Sequence, residues 1–158
     1  LRLGARDRDY LLAALRARLP YVRQKTGANE IVVANDSVAK DALRISLMKM
    51  SAPHGCKLKI IPVAEAITYL NSEASKERKI ELLVETTHDA LQIAEAVEGI
   101  TALNAALMKG GEGKKMVSPS LAFAPEDFEN FRKILAKGIR VESYVAPDDR
   151  PVPIEKYL

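Results

Sequence analysis

The run Glu30-Ile31-Val32-Val33-Ala34 leaves a chain few choices. It is rich in β-branched residues and lacks polar alternation, so it reads as a central strand covered on both faces, the pattern of a parallel sheet between helices. Asn35-Asp36-Ser37 then offers capping oxygens, and Ala39, Leu43, Leu47 and Met50 follow at helical spacing before Pro53. The cycle repeats. Lys57-Leu58-Lys59-Ile60-Ile61 alternates like a strand, and Ala64, Ile67, Leu70 and Ala74 mark the next helical stripe. Ile80-Glu81-Leu82-Leu83-Val84 is a third strand. Thr87 or Asp89 caps a helix carrying Ala90, Ala94 and Val97, Gly99 sits at its stop, and Ile100-Thr101-Ala102-Leu103 opens a further strand.

Beyond this point the rhythm is looser. Lys109-Gly110-Gly111-Glu112-Gly113-Lys114-Lys115 reads as a loop, followed by a short strand around Met116-Val117-Ser118 that Pro119 confines to an edge or an end. Pro125 at a first helical position, Glu126 and Asp127 in the first turn, Phe128, Phe131 and Leu135 on one face, and Gly138 afterwards specify the next helix. A last strand runs from Arg140 to Val145, and residues 146–151 read as a turn or loop. Strand-then-helix order throughout predicts an α/β fold: an open, mostly parallel β-sheet of six or seven strands with helices on both faces, since each parallel pair needs a crossover. Ligand chemistry then belongs at the C-terminal ends of the strands.

At 158 residues the chain fits one domain. Apolar residues make up 47% and charged residues 28%, which argues against a disordered tail or a membrane bundle. The lone Cys56 excludes an internal disulfide and a multi-cysteine metal cage, and it suits a reducing cytoplasm. No apolar run approaches the ~20 residues needed to cross a bilayer, and the charged opening Leu1-Arg2-Leu3-Gly4-Ala5-Arg6 does not read as a signal peptide. The net charge of +3 is uneven: seven cations against two carboxylates put +5 into residues 1–25 and leave −2 for the rest. Such an end suits a phosphate group or an acidic partner. Without interleaved aromatics it does not read as a nucleic-acid surface.

The glycine-rich loop fails the phosphate-loop motif, which needs glycine at Met108 and Ser or Thr at Lys115. It also fails the dinucleotide fingerprint, because it comes late and precedes a strand. What remains is that Gly110, Gly111 and Gly113 let backbone amides approach an anion, with Lys109, Lys114 or Lys115 adding charge; an ordinary surface turn has the same composition. The two histidines both lie in connections. His54 precedes a strand, at the end of the sheet away from the expected site. His88 follows a strand and starts a helix. Cys56 reads as a small buried residue. Asn35 and Asp36 stand at the exit of the central strand, where capping and substrate or partner contact are both open.

Residues 29–41, Asn29-Glu30-Ile31-Val32-Val33-Ala34-Asn35-Asp36-Ser37-Val38-Ala39-Lys40-Asp41, resemble the IIB component of the mannose/fructose/sorbose-type sugar phosphotransferase system. Ala52-Pro53-His54-Gly55-Cys56-Lys57 is similar to that family's A-P-x-G-x-K. Asn104, Met108 and Gly113-Lys114-Lys115 align without a gap with N-x-G-G-M-x-x-x-x-G-K-K. Pro125-Glu126-Asp127 and Lys137-Gly138-Ile139-Arg140-Val141-Glu142 resemble its last helix and strand, so the likeness extends over residues 26–146 of a single IIB-like domain, 1–158.

The resemblance implies a cytoplasmic transferase that carries phosphate: a histidine accepts it from IIA and passes it to sugar presented by membrane IIC and IID, with peripheral attachment through these partners. It implies no metal or organic cofactor and no nucleic acid, and it includes homodimers. Neutral imidazole is a competent nitrogen nucleophile near pH 7. The family's first loop, R-[IV]-D-x-R-L-x-H-G-Q-V, matches best from Arg6 through Arg8 and Asp9, which puts Ala13 at the acceptor position; an ungapped register from Asn35 puts Leu15 there. Neither can form a phosphoramidate. This first segment instead reads as a helix through Leu11, Leu12, Leu15 and Leu19, broken at Pro20. Ala106-Leu107 also replaces the family's Gly-Gly. By resemblance, phosphate or partner contacts fall to Arg6, Arg8, Asp9, Asn35, Asp36, Asn104, Gly110 and Gly111. His88 is a substitute acceptor at a strand exit. Three roles follow: phosphate relay, non-catalytic binding or regulation through the same surface, and anion sensing.

Overall fold

The computed structural model describes residues 2–3, 27–52, 54–145 and 148–158. Contacts divide the chain into an N-terminal unit, Asp7–Leu83, and a C-terminal unit, Leu1–Arg6 with Val84–Leu158. The fold is mixed α/β with mostly parallel strands, as the alternation predicts.

In the N-terminal unit the central strand β2 (Glu30–Ala34) is buried at every residue. It pairs in parallel with β3 (Lys57–Ile61), Glu30 opposite Lys57 and Ala34 opposite Ile61, and the strand order is β3-β2-β4, with β4 spanning Ile80–Val84. A 3-10 turn (Val38–Lys40) and helix α1 (Ala42–Met50) make the first crossover; α2 (Val63–Leu70) and the single turn α3 (Glu73–Lys76) make the second. On one face Ile31 and Val33 pack with Val38 and with Met48 of α1, bordered by half-buried Cys56, Leu58, Ile60 and Leu83. On the other, Tyr69 of α2 donates its hydroxyl to Glu30 at 2.7 Å. Side chains of one strand alternate between faces, so these two contacts place helices on both sides.

The structure turns α1 differently from its sequence stripe. Met48 is the buried residue, whereas Leu43 is 70% and Met50 83% exposed. The reason is a restart. Asp41 caps α1 by accepting the Arg44 amide at 3.1 Å, so residues before and after it do not share one helical phase. In α2 the buried residues are Val63 and Ala66, and the chain breaks at Asn71 and Ser72 before α3, which takes Ala74 out of the expected stripe.

In the C-terminal unit the strand order is β1-β5-β8-β9. β1 (Arg2–Leu3) and β8 (Arg140–Ser143) flank β5 (Ala102–Ala105), both parallel to it, and β9 (Val152–Pro153) runs antiparallel to β8. A separate hairpin joins β6 (Lys115–Ser118) to β7 (Leu121–Phe123). The sequence reading lacks β1, β7 and β9: two or three residues carry no usable period. Helix α4 spans Thr87–Ala96 and α5 spans Pro125–Ala136. Pro125 opens α5, and the Asp127 carboxylate accepts the Ala124 amide at 2.7 Å, securing its first turn. Phe131 and Ile134 are fully buried, and the Phe123 ring lies 5.3 Å from Phe128 and 5.1 Å from Phe131. Burying each such side chain is worth about 2–3 kcal/mol. Gly138, at φ +79°, ends the helix where the sequence places its stop.

Candidate functional site

At the exit of β2 the side chains are committed to the backbone. The Asn35 side-chain oxygen accepts from the Ser37 amide (3.0 Å), the Ser37 hydroxyl (2.9 Å) and the Val38 amide (2.9 Å). The Asn35 main chain also bonds to Ile61 and Ala39, and the residue is 5% exposed. Asparagine suits this position because its short side chain imitates a peptide carbonyl and closes the turn. Asp36 is exposed, yet one carboxylate oxygen accepts the Val63 amide at 2.9 Å. Helix α2 begins after Pro62, which supplies no side-chain cap, so Asp36 performs that task from 27 residues away. Both residues are capping groups.

Asn104 does a related task at the end of β5. It is 6% exposed, donates its amide to the Tyr144 carbonyl at 3.3 Å and accepts the Tyr144 amide at 3.2 Å. The pair extends the β5–β8 ladder past the last paired residue, Asn104 opposite Glu142. Ala106 and Met108 follow, both buried, with Leu107 between them at φ +59°, the one described non-glycine residue in the left-handed region. Met108 forms a bridge with Leu121, and its carbonyl accepts the Ala122 amide at 2.7 Å.

The loop then runs out into solvent. Gly110 and Gly111 are exposed, with Lys109 and Lys115 exposed and Lys114 half-buried around them. The Lys114 amide returns to the Gly111 carbonyl at 3.1 Å, and Gly113 takes φ +73°. A Cβ at Gly110 would lie 3.2 Å from the Met116 sulfur, whereas one at Gly111 would meet nothing within 4 Å. Open backbone flanked by three lysines and one carboxylate, Glu112, can receive an anion.

His88 is exposed on the first turn of α4, one residue after the buried Thr87. The helix cap is Thr86, whose hydroxyl oxygen accepts the Asp89 amide at 3.0 Å, and not Thr87 or Asp89, which the sequence offers. Thr87 is otherwise engaged: it donates to Asp127 at 2.6 Å and accepts from the Asn130 side chain at 3.0 Å. This buried polar trio ties the start of α4 to α5, and Thr87 lies 40 residues from Asp127 and 43 from Asn130. Its only sequence trace is the carboxylate in the first turn of α5.

Asn35 and Asp36 belong to the N-terminal unit, and Asn104, Gly110, Gly111 and His88 to the C-terminal unit. His54 is exposed in the connection leading into β3, and Cys56 is half-buried beside it. Arg6, Arg8, Asp9, Ala13 and Leu15, with the helix expected around them, lie outside the described residues. Far from the strand exits, the Tyr69 hydroxyl is held above its usual pKa by burial, by its hydrogen bond to Glu30 and by that carboxylate's charge, against the lowering pull of Arg78. Glu30 is itself buried, with the Arg78 guanidinium 3.9 Å away. Among the described residues no cluster of three metal-ligating side chains occurs, and no helix is long and apolar enough to cross a membrane.

Parallel strands joined by helices, with polar side chains closing the strand exits and a lysine-flanked glycine loop beyond β5, define an α/β protein with its candidate chemistry at the strand ends. The family model for the sorbose-subfamily IIB component of the phosphotransferase system matches residues 22–158, and the chain belongs to that family. It is 26% identical over 127 residues to the sorbose-specific EIIB component of Klebsiella pneumoniae, covering 80% of this chain and 77% of that one. To the mannose-specific EIIAB component of Escherichia coli K12 it is 29% identical over 119 residues, 75% of this chain but only 37% of the relative's length. The crystal structure of the IIBSor domain of the Klebsiella pneumoniae sorbose permease shares the fold at a TM-score of 0.87 and 24% identity, over 98% of this chain and 92% of that one.

Proposed function

We propose that this chain serves sugar uptake as a cytoplasmic IIB subunit of a mannose/fructose/sorbose-type phosphotransferase system, folded as one IIB-like domain over residues 1–158. It stands between a IIA protein, which supplies phosphate, and membrane IIC and IID components, which present the sugar and through which it attaches to the membrane. The family match over residues 22–158 carries this reading. Gly110 and Gly111, with Lys109, Lys114 and Lys115, are the groups proposed to meet phosphoryl oxygens; Arg6, Arg8 and Asp9 are proposed contacts by resemblance. Asn104 holds the end of β5 from which that loop departs, while Asn35 and Asp36 hold the exit of β2. In the relay, a neutral histidine nitrogen attacks phosphorus, the bond to the donor breaks, and the phosphoryl group later passes to a sugar hydroxyl.

One observation supports a second reading. The chain has two histidines, His54 and His88, and none before them, with Ala13 or Leu15 where the resemblance places the acceptor. A IIB-like protein without an acceptor binds its partners and regulates them without carrying phosphate. Incubation with phosphorylated IIA of the same system, followed by intact mass and acid-lability measurements, separates the two. Relay predicts an acid-labile phosphate that disappears in His88→Ala. The binding role predicts a stable IIA complex and no adduct, and absence of both contradicts either role.

A further inference from the structure

Leu107 combines a left-handed backbone with a bulky side chain, and its surroundings explain why it stays there. Asn104 is tied to Tyr144 on one side. On the other, Met108 is 6% exposed, bridges Leu121 and accepts the Ala122 amide. Ala106, immediately before it, is also buried at 2% exposure. With both flanks anchored, residue 107 must absorb the change of direction. For a residue with a Cβ the left-handed region costs about 1–2 kcal/mol, which glycine avoids.

The cost falls only on the observed course of the loop. Any alternative in which Leu107 returns to negative φ, by unseating Met108 from β7, escapes it. We propose that Leu107 makes the segment from Leu107 to Gly113 a two-state element: the course with Met108 seated is held by tertiary contacts against its own backbone, and an unseated course lies close above it. The freed piece would carry Lys109, Gly110 and Gly111, so access to the exposed amides is set by a residue that need not touch a ligand. Gly113, also at positive φ, forms the far hinge and pays no penalty there. This inference concerns the motion of the loop and holds for either role proposed above.

The amide of Ala122 reports the seat directly, because its acceptor is the Met108 carbonyl. Native-state hydrogen exchange is compared in the unaltered protein, Leu107→Gly and Leu107→Ala. The alanine variant removes the same half-buried side chain but keeps a Cβ in the left-handed region, so the difference between the variants reports the backbone penalty net of the added freedom of glycine in the unseated course. Exchange at Ala122 should be roughly 5- to 30-fold slower in Leu107→Gly than in Leu107→Ala, the ratio equivalent to the left-handed penalty. In the unaltered protein, amides 107–113 should show microsecond-to-millisecond relaxation dispersion that Leu107→Gly suppresses and Leu107→Ala retains. Equal Ala122 exchange in the two variants, or a flat dispersion profile in the unaltered protein, overturns the proposal.

Discussion

A buried asparagine stands at the C-terminal end of both β2 and β5, Asn35 just after the one and Asn104 in the last rungs of the other, and from there the two exits diverge. After β2 the chain turns immediately into a 3-10 turn; Asn35 satisfies three donors and Asp36 crosses to cap α2. Every polar group named there serves the fold. After β5 the asparagine closes one more rung with Tyr144, and then the backbone enters a left-handed turn at Leu107 and an exposed glycine loop. The difference separates two uses of polar residues at strand ends. One exit uses them to hold structure, and the other leaves backbone and lysines facing solvent, where a phosphoryl group can be met.

Substitutions sharpen this contrast. The largest effect is expected at Asn35→Ala, which strips the acceptor from two amides and a hydroxyl in a buried turn; each lost bond costs about 1 kcal/mol, so denaturant unfolding should show a loss of roughly 3 kcal/mol. Asn104→Ala removes two longer bonds to one residue, and a loss of about 2 kcal/mol is expected. Gly111→Ala meets open space and should change stability by less than about 0.5 kcal/mol while weakening anion contact at that amide. A Gly111→Ala loss as large as that at Asn35 would break the comparison, since it would make the loop structural.

Much of the scaffold is legible in the sequence because its signals are local. β2 announces itself by four consecutive apolar residues, Ile31 to Ala34, and α5 by proline, first-turn acids and the glycine that stops it. The outward turn of α1 is less legible: Leu43, Leu47 and Met50 keep a helical period, but the period does not say which arc faces the core, and Asp41 resets the phase. The capping of Asn35 can be read from its place before a helical stretch. The bond from Asn104 to Tyr144 and the trio of Thr87, Asp127 and Asn130 cannot, because each joins residues 40 or more positions apart. Leu107 left a trace only through resemblance, where glycine stands at its position. The structure keeps the glycine-like turn with a leucine in it.

In the proposed relay the exit of β5, not that of β2, receives the phosphoryl anion. The direct measurement is a titration of isotope-labelled protein with inorganic phosphate, followed by amide chemical shifts. Saturable shifts at Gly110, Gly111 and Lys114, with Ser37 and Val38 unmoved, are the predicted result. Saturable shifts confined to Ser37 and Val38, with the glycine loop unmoved, would contradict it.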